Sequence, residues 1–168
     1  MKIAIYLSSL IITSMLNAEW ATNINSSTQK ISDYTLITKD PVTGLVMDHL
    51  LVDAMIAVWG FKYWNWGEES LHVEEEDWFD EDSDTGGSDK TGHFYMTYLL
   101  SRVMASRMED RGYSLEKSSL AGALSGMFAM TLLEVGDGTS PYGFSYEDLL
   151  ADALGAGMAY FIRSNPHS

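Results

Sequence analysis

The sequence predicts an all-α protein, a compact bundle of about four helices with small residues at the helix contacts. Apolar residues recur three and four positions apart in four separate stretches, which is the period of a helix packed on one face. No stretch competes with the strict apolar–polar alternation of a half-buried strand. With 168 residues and 46% hydrophobic content, the chain suits one domain with a single sizeable core.

The N-terminus has the pattern of a secretory signal. Lys2 precedes an apolar stretch from Ile3 to Leu16, and Ala18 offers the small side chain that a signal peptidase requires. We therefore expect residues 1–18 to be a signal peptide, with a retained anchor helix as the alternative. Either form exports the chain, so we expect it in the periplasm or associated with the outer membrane.

The helical domain is expected to begin near residue 41. Residues 19–40 are polar and show no sustained period, which predicts an N-terminal arm ahead of a single domain at 41–168. The first helix is predicted at Val42 to Tyr63, begun by Pro41 and interrupted near Gly60.

A strongly acidic segment follows the first helix. Ten acidic residues and no Lys or Arg lie between Glu68 and Asp84, and they supply most of the formal net charge of −14. We predict a loop at about residues 64–88. Its large aromatic side chains indicate that apolar contacts attach the loop to the helical body, since a solvated acidic tail would not be expected to carry them. These aromatic residues are Trp64, Trp66, Trp78 and Phe79.

Part of this loop resembles a calcium-binding loop. Asp80 to Gly86 places acids at alternate positions, but the glycine falls one place late. Thr91 stands at the twelfth position, where such a loop has glutamate. We interpret the segment as a solvated acidic face, with weak calcium binding as the alternative.

Three further helices are predicted at Thr91 to Met108, Leu115 to Val135 and Tyr146 to Ile162. Ser145 suits the N-cap of the last helix, with Asp148 as its third residue.

Small residues recur at four-residue spacing in the last two helices, which lets helix backbones approach closely. They are Gly122 and Gly126, then Ala151, Gly155 and Ala159. Packing inside a membrane and tight packing in a soluble bundle both explain this spacing. Ser118 to Leu133 is free of charge for only 16 residues, short of the roughly 20 that a spanning helix needs. We expect a membrane-associated or half-inserted bundle.

Charge and composition exclude several functions. A chain of net charge −14 is unsuited to nucleic acid, where basic groups meet phosphates. The absence of cysteine excludes disulfides, thiolate metal sites, a cysteine nucleophile and a lipid-modified N-terminal cysteine. We therefore expect oxygen and nitrogen ligands and a membrane or envelope component as partner.

Asp89 and His93 are the first candidate functional residues. They lie four apart at the start of a predicted helix, so both side chains share one face. They can share a metal ion, or the carboxylate can orient the imidazole for proton transfer. The alternative is that Asp89 stabilises the helix start while His93 is a core residue. His49 and Asp53 repeat the spacing, but no other feature supports that pair.

Acidic residues in the last two helices extend this candidate site. Glu134 and Asp137 lie at a helix C-terminus, where the helix dipole disfavours negative charge. Asp148 and Asp152 lie four apart on one face of the last helix, and buried carboxylates need partners. Structural ion pairs, and a simple turn at Asp137, are the alternatives. The candidate ion-pair partners are Lys90, Arg102 and Arg107.

The order of several short motifs carries a family resemblance. The motifs are Glu76 to Phe79, Thr85 to His93, Glu134 to Gly138, and Tyr142 to Ser145 ahead of Asp148. Together they resemble the YfiM-like predicted periplasmic lipoproteins, whose biochemical role is unassigned, over roughly residues 64–159. The chain lacks the lipoprotein cysteine, so we expect any membrane attachment to come from the helices or a retained signal.

A looser similarity runs to the VanZ-like membrane proteins. The matching residues are Asp89, Lys90, His93, Glu134, Asp148 and Gly155. Asp137 stands near an expected Gln, and Asp152 stands where Asn is usual. This similarity implies a helical hairpin core and a role in envelope or glycopeptide-resistance biology, without an established reaction.

We hypothesise that one polar cluster with a binding or structural role forms between the helices. Its members are Asp89, His93, Glu134 and Asp148. The metal-ligand candidates are His93, Asp89, Glu134 and Asp137, and the candidate cofactor is a divalent cation. The alternative is a hydrolase or transferase acting on an envelope lipid or glycan, with His93 as general base or metal ligand. No nucleophile elbow, zinc-protease motif or phosphate loop supports that activity.

Overall fold

Four helices form the part of the chain that the structure, a computed structural model, describes: residues 40–75, 78 and 87–165. They are α1 (Pro41–Tyr63), α2 (Ser88–Asp110), α3 (Leu115–Asp137) and α4 (Tyr146–Ser164). The predicted all-α bundle of about four helices is confirmed. The predicted signal, almost all of the N-terminal arm and the calcium-like segment lie outside the described residues.

Helix boundaries follow the capping residues. Asp40 accepts a hydrogen bond of 2.8 Å from the Thr43 amide ahead of α1, and Ser145 accepts one of 3.2 Å from the Asp148 amide at the start of α4. The predicted N-cap at Ser145 is therefore confirmed. Helix α2 begins at Ser88, three residues before the predicted start, and follows Gly87, whose φ of 76° favours glycine.

The predicted interruption of α1 near Gly60 is wrong. The helix continues through Gly60 to Tyr63, and the indole ring of Trp66 occupies the space that a side chain at this position would fill. Gly136 of α3 faces the same ring. Both glycines therefore allow Trp66 to lie between α1 and α3.

The helices alternate in direction. Lys90 near the start of α2 pairs with Asp148 near the start of α4, while Glu109 and Arg163 pair at the opposite ends of the same helices. We call the end that holds Trp66 and Lys90 the site end, and the end that holds Arg163 the distal end. The site end therefore collects the C-termini of α1 and α3 and the N-termini of α2 and α4.

Small side chains make the helix contacts. A Cβ atom on Gly122 would meet Ser101 and Ala105 of α2, and one on Gly126 would meet Ser101 and the backbone of Thr97. In α4, the position of Gly155 is closed by the backbone of Phe94. The predicted small-residue packing is confirmed, since α2 approaches α3 and α4 at these positions.

The described surface is rich in large apolar side chains. Leu50, Leu51, Met55 and Val58 of α1 are all more than half exposed. The largest fully buried side chains, by contrast, are polar with the exception of Met108: Glu134, Thr97, Asp152, Ser101, Ser118, Ser119, Ser140 and Ser145. The interior therefore combines small and polar side chains with a few large apolar ones, while many large apolar side chains lie on the surface, which is unusual for a soluble protein.

Within the described residues, two helices, α1 and α3, are long and apolar enough to cross a membrane by length and composition. Each has 23 residues. Helix α3 is longer than its charge-free stretch, because the helix extends beyond that stretch at both ends. Only 11% of the apolar window of α1 is buried within the bundle, against 39% for α3.

The acidic segment after α1 is attached through Trp66. The side chain of Trp66 is buried, which agrees with the prediction that aromatic side chains attach this segment to the helical body. Trp78 is 40% exposed, and Phe79 lies outside the described residues. A backbone bridge between Val73 and Phe144 further connects this segment to the turn before α4.

Candidate functional site

The site end of the bundle holds a cluster of ionisable side chains. The structure brings together all four residues predicted to converge, Asp89, His93, Glu134 and Asp148, and adds Lys90 and Asp152. We call these six residues the polar cluster. They come from the first two turns of α2, the last turn of α3 and the first two turns of α4. Alternating helix direction therefore gathers residues that are far apart in sequence.

His93 lies between two buried carboxylates. Its Nδ1 atom is 3.3 Å from Asp152 Oδ1 and 3.4 Å from Glu134 Oε1. Burial lowers the pKa of His93, but the hydrogen bond and charge of Asp152, with the charges of Asp148 and Glu134, raise it to about 9. In the metal-free protein, His93 is therefore an imidazolium at neutral pH. A protonated ring is a poor general base, unlike the role considered from the sequence.

Asp152 is the residue that the predicted site omitted. Its side chain has no solvent exposure, and its Oδ1 accepts a hydrogen bond of 2.5 Å from the Thr97 hydroxyl. Thr97 follows His93 by four residues and also donates to the His93 carbonyl at 2.8 Å. The sequence signal was present, because both residues repeat the four-residue spacing of predicted site residues.

Glu134 is compensated from two directions. Its side chain is almost completely buried, and its Oε2 atom accepts a hydrogen bond of 3.1 Å from the backbone amide of Ser145. Ser145 caps α4, so the positive end of that helix dipole faces the carboxylate. A helix N-terminus and the His93 ring thus offset only part of the cost of an acid that burial and its own helix dipole disfavour.

Lys90 neutralises the second pair of carboxylates. Its Nζ atom lies 3.0 Å from Asp148 Oδ1 and 3.6 Å from Asp89 Oδ2, and only 3% of its side chain is exposed. Burial, together with the charge of Asp148, raises the pKa of Asp89 to about 6 although the positive charge of His93 lowers it. The Asp89 side chain remains 38% exposed, so this edge of the cluster reaches solvent.

Asp137 has a different environment from the other metal-ligand candidates. Its Oδ1 atom accepts a hydrogen bond of 2.7 Å from the Trp66 indole. In the described residues, two groups of side chains have ligand atoms close enough together that they could hold a metal ion, namely Asp89, His93 and Asp148, and His93, Glu134 and Asp152. In each group the candidate ligand atoms lie within 4.8 Å of one another. Asp137 belongs to neither group.

Other candidate groups lie elsewhere. His49 packs edge-on against Phe128, with ring centroids 5.6 Å apart. Arg107, considered as a partner for the acids of α4, instead pairs with Asp48 near the distal end, and Arg102 donates to the Tyr98 hydroxyl. These residues do not extend the polar cluster.

Two surface cavities also lie away from His93. The first is lined by Pro41 and by residues of the α2–α3 connection. The second lies between α1 and α3 beside Trp66. Neither is lined by a member of the polar cluster, which is accessible through the exposed edge at Asp89.

A family model described as "Predicted periplasmic lipoprotein (DUF2279)" matches residues 75–164. The match covers more than half of the chain and contains α2, α3 and α4 with the whole polar cluster. No curated protein and no solved structure matches the chain.

Proposed function

The chain belongs to the predicted periplasmic lipoprotein family DUF2279, and we propose that its polar cluster binds a divalent metal ion in the cell envelope. The family description places the protein in the periplasm or envelope and assigns no activity. One observation carries the proposal: an imidazole and two buried carboxylates from three helices present candidate ligand atoms within 4.8 Å of one another.

Charge balance supports a bound cation. The cluster contains four carboxyl groups, those of Asp89, Glu134, Asp148 and Asp152, and only two basic side chains, those of Lys90 and His93. Lys90 lies beside Asp89 and Asp148, so His93 is left with two buried acids. A metal ion there would replace the imidazole proton and supply more positive charge.

The ligand types favour a transition metal over calcium or magnesium. Imidazole nitrogen with carboxylate oxygen suits zinc, manganese or iron, whereas calcium and magnesium favour sites built only from oxygen. His93, Glu134 and Asp152 would be the ligands, with Thr97 orienting Asp152 through its hydrogen bond.

The similarity to VanZ-like proteins also supports a metal site at the polar cluster. Of the residues that carry that similarity, Asp89, Lys90, His93, Glu134 and Asp148 all belong to the polar cluster. We propose that their shared pattern reflects one ion-binding arrangement between helices.

A hydrolase or transferase acting on an envelope lipid or glycan is the second candidate function. The observation in its favour is the exposed edge of the cluster at Asp89, which a substrate could reach. A metal ion at His93 would act there as a Lewis acid. Metal binding without turnover of any glycerophospholipid or peptidoglycan fragment would favour the binding role.

Metal content of the purified protein tests the proposal. Apoprotein is titrated with Zn²⁺, Mn²⁺, Mg²⁺ and Ca²⁺ by calorimetry, and bound metal is measured by mass spectrometry. We expect binding of Zn²⁺ or Mn²⁺ to be lost in His93→Ala and in the isosteric Glu134→Gln. Asp53→Asn removes one acid outside the cluster and should bind as the wild type does. Equal metal content in all four proteins would refute the proposal.

A further inference from the structure

We infer that the acyl chains of a lipid bilayer cover the apolar sides of the bundle, with the site end at the lipid–water boundary. This inference does not depend on the proposed metal ion. We call the exposed apolar residues along the middle of the bundle the apolar belt: Leu50, Leu51, Met55 and Val58 of α1, Leu120, Leu124 and Phe128 of α3, and Leu150, Leu154 and Met158 of α4.

The apolar belt is costly in water. Each of its ten side chains is between 44% and 67% exposed, and apolar surface left in water costs about 25 cal/mol per Å². Soluble monomers rarely expose contiguous apolar patches beyond a few hundred Å². The small and polar side chains of the interior also suit a bundle surrounded by lipid. Helices in lipid associate through close packing and hydrogen bonds rather than by burying large apolar side chains.

The distribution of charge complements a bilayer. Helix α3 carries no charged residue between Lys117 and Glu134. In α1, the Asp48 carboxylate is buried against Arg107 and Arg111. In α4, Asp152 is buried against His93. Charged groups on these three helices therefore lie at the ends or face inward, and the belt between the ends is uncharged except for the half-buried Asp53.

The length of the helices matches the same environment. At about 1.5 Å per residue, a 23-residue helix extends about 34 Å, which is enough for a hydrocarbon layer of about 30 Å. Helix α1 is not the core helix of a soluble protein, because only 11% of its apolar window is buried. It begins at Pro41, after the predicted signal, so it is not that signal.

Aromatic side chains mark the boundary at the site end. Trp59, Tyr63, Tyr142 and Tyr146 lie at this end of α1 and α4, and each is between 42% and 63% exposed. Trp and Tyr are enriched where a membrane meets water. The exposed acids Glu68 and Glu69 lie shortly after the C-terminus of α1 at the same end. The polar cluster would then lie just inside the headgroup layer. A lipid headgroup would therefore be the molecule nearest to the exposed side chain of Asp89.

Single cysteines test the location of the belt, since the natural chain has none to interfere. Leu124→Cys and Leu154→Cys report on the belt. The matched controls, Glu116→Cys and Glu69→Cys, report on exposed positions at the two ends. The full chain is expressed in cells, and fragmented membranes, open on both sides, are treated with a membrane-impermeant maleimide. We expect both end cysteines to be labelled in intact membrane fragments. Both belt cysteines should remain unlabelled there and become labelled only after the membranes are dissolved in denaturing detergent.

Alkaline extraction of the same cysteine variants, without maleimide treatment, separates lipid from other occupants of the belt. We expect the protein to stay in the membrane pellet after an alkaline carbonate wash. Two outcomes would overturn the inference. In one, belt and end cysteines are labelled equally; in the other, the chain is released by carbonate as a soluble oligomer whose belt cysteines remain protected. Metal binding is measured separately, so failure here leaves the proposed metal site intact.

Discussion

The Trp66 indole donates a hydrogen bond of 2.7 Å to the Asp137 carboxylate, so the segment after α1 is held at the end of α3. The ring also fills the spaces left by Gly60 and Gly136. One side chain thus joins two helices and the start of the acidic segment.

Trp66→Ala should destabilise the bundle by roughly 3–5 kcal/mol, because it leaves a cavity between α1 and α3 and removes the donor to Asp137. Trp59→Ala is the matched control, since Trp59 is 42% exposed. Denaturant unfolding followed by circular dichroism measures both. Equal losses of stability would show that Trp66 does not hold the helices together.

Asp48→Asn should cost about 3–5 kcal/mol in the free energy of unfolding. The carboxylate contacts Arg107 at 2.5 Å and Arg111 at 2.6 Å, and 5% of its side chain is exposed. Removing its charge takes the buried Asp48 carboxylate away from two guanidinium groups at the distal end. Glu68→Gln, at an exposed position, should change stability by less than about 0.5 kcal/mol. A small loss for Asp48→Asn would contradict this prediction.

The same substitution at two glycines should have opposite effects. Gly122→Ala would place its Cβ against Ser101 and Ala105 and should cost about 1–3 kcal/mol. Gly157→Ala meets no atom within 4 Å and should stabilise α4 by up to about 1 kcal/mol, because alanine favours helix. Thermal unfolding compares the two variants with the wild type. Similar melting temperatures for both variants would argue against the close contact of α2 and α3.

The metal-free protein should lose stability as pH rises from 6.5 to about 9. The folded state raises the pKa of His93 from 6.5 to about 9, so the folded form binds the proton more tightly than the unfolded form. The stabilisation is complete below pH 6.5 and disappears as pH rises through 9. The melting temperature of wild type and His93→Gln, measured across this range in a chelating buffer, tests the sign. A melting temperature that rises over this range in the wild type would contradict it.

Periodicity predicted the four helices, and four-residue spacing predicted which side chains share a face. The recurrence of costly acids at this spacing, together with the family order of the motifs, predicted that Asp89, His93, Glu134 and Asp148 converge, as observed. The partners of each acid could not be predicted, because periodicity fixes direction around one helix but not the register between two helices. For this reason the sequence did not show that Arg107 pairs with Asp48 rather than with the acids of α4.

The start of α2 and the course of α1 were harder to predict for a different reason. Gly87 precedes α2 and Gly60 lies within α1, and glycine is compatible with both a break and a close contact. At Gly60, a ring six residues further along the chain decides between them. Such a contact leaves no local pattern in the sequence.

The glycine positions in the interior also constrain how this sequence can diverge. Where the backbone of Phe94 faces Gly155 and Ser101 faces Gly122, no added atom fits without moving a helix. Positions such as Leu124 and Leu154 are open and require only an apolar side chain if lipid surrounds them. Over evolutionary time, inward positions should therefore keep their smallest residues, while outward positions exchange freely among leucine, isoleucine, valine and phenylalanine.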